Sequence, residues 1–334
     1  MEGVGPASRT VREPTDDPVG VTAVRSSGAS HPAGRLDAGR CSVQALERGD
    51  VPIATAPPAR RWLLIEQPGP WGHTPLKDSR FDQAVVDPLA HRARVEGMRV
   101  LMIRRPGSRA SEGGSRWATV DARPGRERIT WAVRDSDADL LDAPWDGSAG
   151  TPATDPVYLV CAHGTHDTCC AVRGRALARD LPVADPDRVW ECSHLGGCRF
   201  AANVLVLPHG FYYGQVPGTG EAVVDAHRRG EVALPWLRGR AGMAAPAQAA
   251  QQMARAELGL LDTGALPPLS VDQRSAPGEA VEEWAVRLAG PDGDVLVRVE
   301  SRPSEEAVHL TCRAVHAAHQ RTWHLLSLEH APAP

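Results

Sequence analysis

Between Tyr158 and Gln215 the chain gathers five of its seven cysteines into two short loops, and no other feature constrains its fold as much. The stretch reads Y-L-V-C-A-H-G-T-H-D-T-C-C, then a helical run, then V-W-E-C-S-H-L-G-G-C-R-F-A-A-N-V-L-V-L-P-H-G. Cys161 and Cys170 are separated by eight residues, and His194 and Cys198 by three. Each pair follows a short apolar β-type run, so each belongs to a loop at a strand end. Loops at the ends of neighbouring parallel strands can bring their side chains to one point, as a metal centre requires.

The rest of the chain is read around that stretch. At 334 residues it is long enough for two domains or one large one, and its 42% hydrophobic fraction is that of a globular protein. A net charge of −4 gives no sign of nucleic acid or an anionic membrane as partner. No apolar run is long enough to span a bilayer, and no signal-peptide core precedes the fold, so a cytoplasmic location is expected. In that compartment, clustered cysteines point to metal or redox chemistry before disulfides.

Residues 1–40 are rich in Gly, Ser, Pro, Asp and Arg without an apolar face, which predicts a disordered extension. Residues 41–145 read as an N-terminal α/β half. A short helix from Cys41 is followed by a strand at Arg61–Glu66, a helix over Phe81–Ala93 and a strand at Met98–Ile103, a β-α-β unit. A hairpin follows at Trp117–Val120 and Ile129–Val133, with one helical turn at Ala138–Leu141. Residues 156–262 read as β-α-β-β-β-α, close to a thioredoxin-like core. Its parts are a strand at Tyr158–Val160, a helix near Ala171–Asp180, strands at Arg188–Glu191, Asn203–Leu207 and Phe211–Val216, and a helix at Glu221–Gly230. Pro246–Leu260 is an amphipathic helix and Asp262–Gly278 reads as a linker. Within residues 279–330 four alternating runs, Trp284–Leu288, Val295–Glu300, Val308–Cys312 and Thr322–Leu328, predict a small antiparallel sheet. The fold class is therefore α/β, a thioredoxin-like core with a related N-terminal β-α-β half and a small antiparallel C-terminal sheet.

Thiolate is soft and anionic, and imidazole is borderline and neutral. Cys161, Cys170, Cys198 and His194 would close a tetrahedral zinc site, or give two ligands to each iron of a [2Fe–2S] cluster. The eight-residue gap favours the cluster, because structural zinc ligands typically stand about two to four residues apart. Gly164, Gly196 and Gly197 let backbone N–H groups approach the sulfurs.

These residues carry a resemblance. C-A-H-G-T-H-D-T-C-C followed by S-H-L-G-G-C-R-F-A-A-N is similar to the sucrase/ferredoxin-like family, whose better-understood members are thioredoxin-like [2Fe–2S] ferredoxins. The match rests on Cys161, His163, Gly164, Asp167 and Cys170, then His194, Gly196, Gly197, Arg199, Phe200, Ala201 and Asn203. The resemblance implies a [2Fe–2S] electron carrier, with zinc as the alternative occupant. Cys161, Cys170, His194 and Cys198 would be the metal ligands, and His163, Asp167, Gly196, Gly197 and Arg199 would lie about the cofactor. The partner implied is a redox protein, a reductase or an acceptor. Where members with two histidine ligands have H-x3-H, this chain has His194-x3-Cys198. Cys3His ligation adds negative charge and lowers the potential.

The remaining residues read more plainly. Cys169 and Cys192 are expected as small buried hydrophobes, and Cys41 and Cys312 as structural residues. His163 is expected to support a ligand, and His166 to be a cap or a surface residue. Asp167 reads as a turn or N-cap residue. Arg199 reads as pairing with a carboxylate or donating toward the cluster; the tryptophans read as core packing, with Trp71 and Trp190 near strand ends as alternative shields for it. A thiol oxidoreductase lacks its C-x-x-C motif here, and no carboxylate pair suits a glycosidase.

Overall fold

The computed structural model describes residues 39–107, 113–276 and 278–330. The extension expected to be disordered therefore lies, up to residue 38, outside the described residues. The first part of the chain supplies strands β1 (Arg61–Glu66), β2 (Arg99–Arg104), β3 (Ser115–Asp121), β4 (Arg128–Arg134) and β5 (Thr151–Pro152). β6 (Val157–Cys161), β7 (Val189–Cys192), β8 (Val204–Leu207), β9 (Phe211–Tyr213) and β10 (Leu237–Arg240) follow. All ten join one mixed sheet in the order β10-β9-β8-β6-β7-β2-β1-β3-β4-β5. A separate antiparallel sheet contains β11 (Pro268–Gln273), β12 (Glu282–Gly290), β13 (Gly293–Val308) and β14 (Ala318–His330). The helices are α1 (Cys41–Glu47), α2 (Pro75–Asp78), α3 (Gln83–Val95), α4 (Asp139–Asp142), α5 (Arg175–Asp180), α6 (Glu221–Arg228) and α7 (Ala245–Leu258).

β6 shows why the sequence runs apolar without alternation. A central strand has both faces covered, so every side chain must be buried. Val157, Leu159 and Cys161 point into one core, and Tyr158 and Val160 into the other. β8 divides in the same way, with Leu205 and Leu207 on the first face and Val204 and Val206 on the second. The first face also receives Cys41, Cys169, Cys170, Cys192 and Cys198, so six of the cysteines meet on one side of the sheet.

The expected β-α-β units are present: β1 pairs parallel with β2, and β6 parallel with β7. An antiparallel contact between β2 and β7 joins them into one sheet. β8 runs antiparallel to β6, which fixes a direction that the sequence left open. Two local expectations need correction. The stretch read as a linker contains β11, whose side chains are mostly exposed and so give no strong apolar pattern. Val308–Cys312 is not a separate strand: β13 ends at Val308, and Cys312 lies in the loop before β14. That loop returns to the large sheet. α7 packs Ala247, Ala250 and Ala254 against Val286, Leu288, Val295, Val297 and Val299 of the small one. Among the described residues no helix is long and apolar enough to cross a membrane.

Candidate metal centre

The two parallel strands β6 and β7 end side by side, with Cys161 in register with Cys192. The chain leaves β6 through His163–Asp167 and re-enters helix at Cys170. There it makes a π-turn over Cys170–Gly174 before α5. Such turns are uncommon and recur at functional sites, because they displace a side chain from the regular helical spiral. Gly174 makes the turn possible. A Cβ added there would come within 1.9 Å of the Cys161 carbonyl oxygen, so only glycine lets this turn lie against the end of β6.

After β7 the second loop carries His194, turns through Gly196 (φ +89°) and Gly197 (φ +71°), and presents Cys198 on a short 3-10 turn. Arg238 of β10 holds it from behind. Its guanidinium donates to the Gly196 carbonyl at 2.8 Å, the Asn203 side-chain oxygen at 2.9 Å, and the Thr55 carbonyl and hydroxyl at 2.6 and 3.0 Å. Asn203 in turn donates to the Gly197 carbonyl at 3.0 Å. Arg99 donates to the His194 carbonyl at 2.7 Å. Arg238 is buried, which lowers its pKa to about 10, so it stays cationic at neutral pH. Sequence reasoning missed this residue's role. Its local signal is weak, because β10 reads Leu-Arg-Gly-Arg and nothing in that run separates Arg238 from a solvated basic residue.

Cys161, Cys170 and His194 bring one ligand atom each within 4.8 Å of one another. Cys198 closes with His194 and His166, and again with Cys170 and Asp167, within the same distance. Cys198 Sγ lies 3.8 Å from His194 Nδ1. The four residues singled out as ligands are thus brought together, and the set of soft donors can hold a metal ion. The acidities suit that role. Hydrogen bonding with Cys170 pulls Cys161 well below an ordinary thiol and Cys198 down to about 5, while Cys170 is raised as the shared donor. Burial opposes protonation of His194, but hydrogen bonds to Cys161 and Cys198 outweigh it and raise the imidazole to about 9. Thiolate, the ligating form, is therefore favoured at Cys161 and Cys198, whereas Cys170 and His194 would give up a proton to bind a metal.

The neighbours fall as follows. His163 is buried, its Nε2 2.7 Å from the Gly72 carbonyl, and so supports the first loop from outside the donor set. His166 is half-buried and lies against His194 with ring centroids 3.6 Å apart. The spacing of His163 and His166 was the signal: one turn, closed by the His166 amide on the His163 carbonyl, swings the second imidazole inward. Arg199 resolves toward a carboxylate, with its Nε 3.9 Å from Asp50 and its guanidinium over the Phe200 ring. Trp71 meets His163 edge-on, whereas Trp190 stacks on Trp131. Asp167 is fully buried and caps the loop, accepting the Cys169 amide at 2.8 Å and the Cys312 amide at 2.9 Å. Cys192 is buried, as expected of a packing residue. The sulfurs of Cys41, Cys169 and Cys312 converge beside Asp167.

A family model described as sucrase/ferredoxin-like matches residues 52–239, more than half of the chain. Part of the chain is also 30% identical, over 83 residues, to altered inheritance of mitochondria protein 32 from Meyerozyma guilliermondii. That alignment covers 22% of this chain and 29% of the relative, so the chain spans under a third of that relative's length. No solved structure matches.

Proposed function

Because this chain belongs to the sucrase/ferredoxin-like family, we propose that it is a one-electron carrier holding a [2Fe–2S] cluster on Cys161, Cys170, Cys198 and His194. One observation carries the choice of a two-metal centre over a single ion. Eight residues separate Cys161 from Cys170, a loop long enough to wrap a centre of two metal atoms, where structural zinc ligands typically stand about two to four residues apart. A pair of bridged irons held there would accept and return one electron.

The chain's own residues supply the rest. Arg238 places a buried positive charge near Cys161 and Cys198, which favours the added electron and offsets the charge of the third thiolate. Gly196, Gly197 and Arg238 set the backbone that carries His194 and Cys198. Asp167 and His163 fix the loop that carries Cys170. His166 and His194 are half-buried, whereas the three thiols are buried, so the imidazole edge is where a redox partner protein would dock. Nothing in this reading calls for nucleic acid, a membrane or a substrate pocket, and a cytoplasmic setting suits it.

His194 has a ring nitrogen to spare beyond the one that would ligate metal, and this nitrogen takes up a proton more readily once the centre has gained negative charge. The potential is therefore expected to fall as pH rises, by up to about 59 mV per unit where one proton accompanies one electron. Redox titration at several pH values between about 6 and 9 reads this. A reversible one-electron wave with that slope supports the carrier; absence of any reversible wave excludes it, and a flat potential removes the role given to His194.

A further inference from the structure

Cys41, Cys169 and Cys312 are far apart in sequence, with separations of 128, 143 and 271 residues. Their sulfurs nevertheless form a nearly equilateral triangle, with edges of 3.6, 3.3 and 3.5 Å. The Asp167 carboxylate stands over it, its oxygens 3.8 and 4.0 Å from Cys41 Sγ. All four donor atoms lie within 4.8 Å of one another.

A disulfide does not account for this arrangement. Bonded sulfurs are about 2.05 Å apart, and three cysteines cannot pair without a remainder. A single ion accounts for it better. With a Zn–S bond of about 2.3 Å, thiolates on a tetrahedron stand about 3.8 Å apart, close to each edge of the triangle. Both Asp167 oxygens are already aimed by backbone amides, and each retains a lone pair for a metal. We propose that Cys41, Cys169, Cys312 and Asp167 form a second, mononuclear site for a soft divalent cation of the zinc class. It closes as one group of four. Adjacent Cys169 and Cys170 then serve different centres, which assigns three cysteines to each and leaves Cys192 in the core. Arg199 supplies positive charge within reach of both Cys41 and Cys198.

The ion would be structural. It staples α1 and the loop between β13 and β14 to the loop that carries Cys170. Cys41 and Cys312 fall outside residues 52–239, so the site is not contained in the family match. The proposal does not depend on what fills the first centre.

The test is zinc and iron analysis of the full chain purified without chelators, together with Cys41→Ser, Cys312→Ser and, as a control, Cys192→Ser. The wild type and the control should carry about one zinc per chain, and the two site variants about tenfold less, with iron unchanged. If the first centre itself holds zinc, the wild type carries about two and the site variants lose one; this site then stands while the electron carrier falls. Zinc unchanged in both site variants overturns the proposal. A measurement on the unaltered chain guards against misfolded variants. Cys312 is exposed, yet should resist alkylation until a zinc chelator is added. Equal alkylation with and without chelator, or a disulfide among the three cysteines, also overturns it.

Discussion

Arg238→Ala should lower folding stability by on the order of 3–5 kcal/mol, because it leaves the buried Asn203 oxygen and three part-buried oxygens without a donor, and each such loss costs about 1–3 kcal/mol. The acceptors are the Gly196 and Thr55 carbonyls, the Thr55 hydroxyl and the Asn203 side chain, which also loses its brace to Gly197. The ligand loop is thereby released at both glycines. A Cβ on Gly197 would come within 2.5 Å of the Arg238 guanidinium, so the loop is shaped around this one side chain. Bound metal should drop along with stability. Arg238→Lys keeps the charge but cannot reach acceptors on two segments at once, and should restore bound metal more fully than stability. Urea unfolding with metal analysis measures both. An alanine variant with the wild-type midpoint and full metal would show that Arg238 is not the clamp.

Gly174→Ala should have an effect of similar size through a different cause. The new methyl meets the backbone oxygen of Cys161 at 1.9 Å and its carbonyl carbon at 3.0 Å, and neither is the flexible end of a side chain. Either the π-turn is lost or the end of β6 moves, and both displace Cys161 from Cys170. The destabilisation is expected at the upper end for overpacking, about 3 kcal/mol, with bound metal reduced at least about fivefold. Gly39, where an added Cβ meets nothing within 4 Å, provides the control: Gly39→Ala should be neutral. Full metal loading in Gly174→Ala would mean that the turn adapts and the two cysteines are held by other means.

How far the sequence disclosed this site follows from the range over which each signal acts. β1, the β3–β4 hairpin, β6 and β8 were legible because burial on one or both faces writes a pattern over a few consecutive residues. The two loops were legible because each follows a strand end, with Cys161 closing β6 and His194 just past β7. β11 was not, since its side chains are largely exposed and it is held by pairing with β12. Arg238 and the Cys41–Cys169–Cys312 triangle were hidden for another reason. Both depend on segments far apart in the chain being brought together by the order of strands and by the return of the β13–β14 loop. No local period records that meeting. His166 lies between these cases: its position in the loop was visible, but its inward turn toward His194 is set by one backbone hydrogen bond.

The proposal of a two-iron carrier is tested most directly by iron and acid-labile sulfide assay of anaerobically purified protein, with an electron paramagnetic resonance spectrum after reduction by dithionite. About two irons and two sulfides per chain with a half-integer-spin signal are expected, and the signal should change when His194 is replaced by cysteine. A colourless protein that carries zinc at Cys161, Cys170, Cys198 and His194, with no sulfide and no signal on reduction, would contradict it.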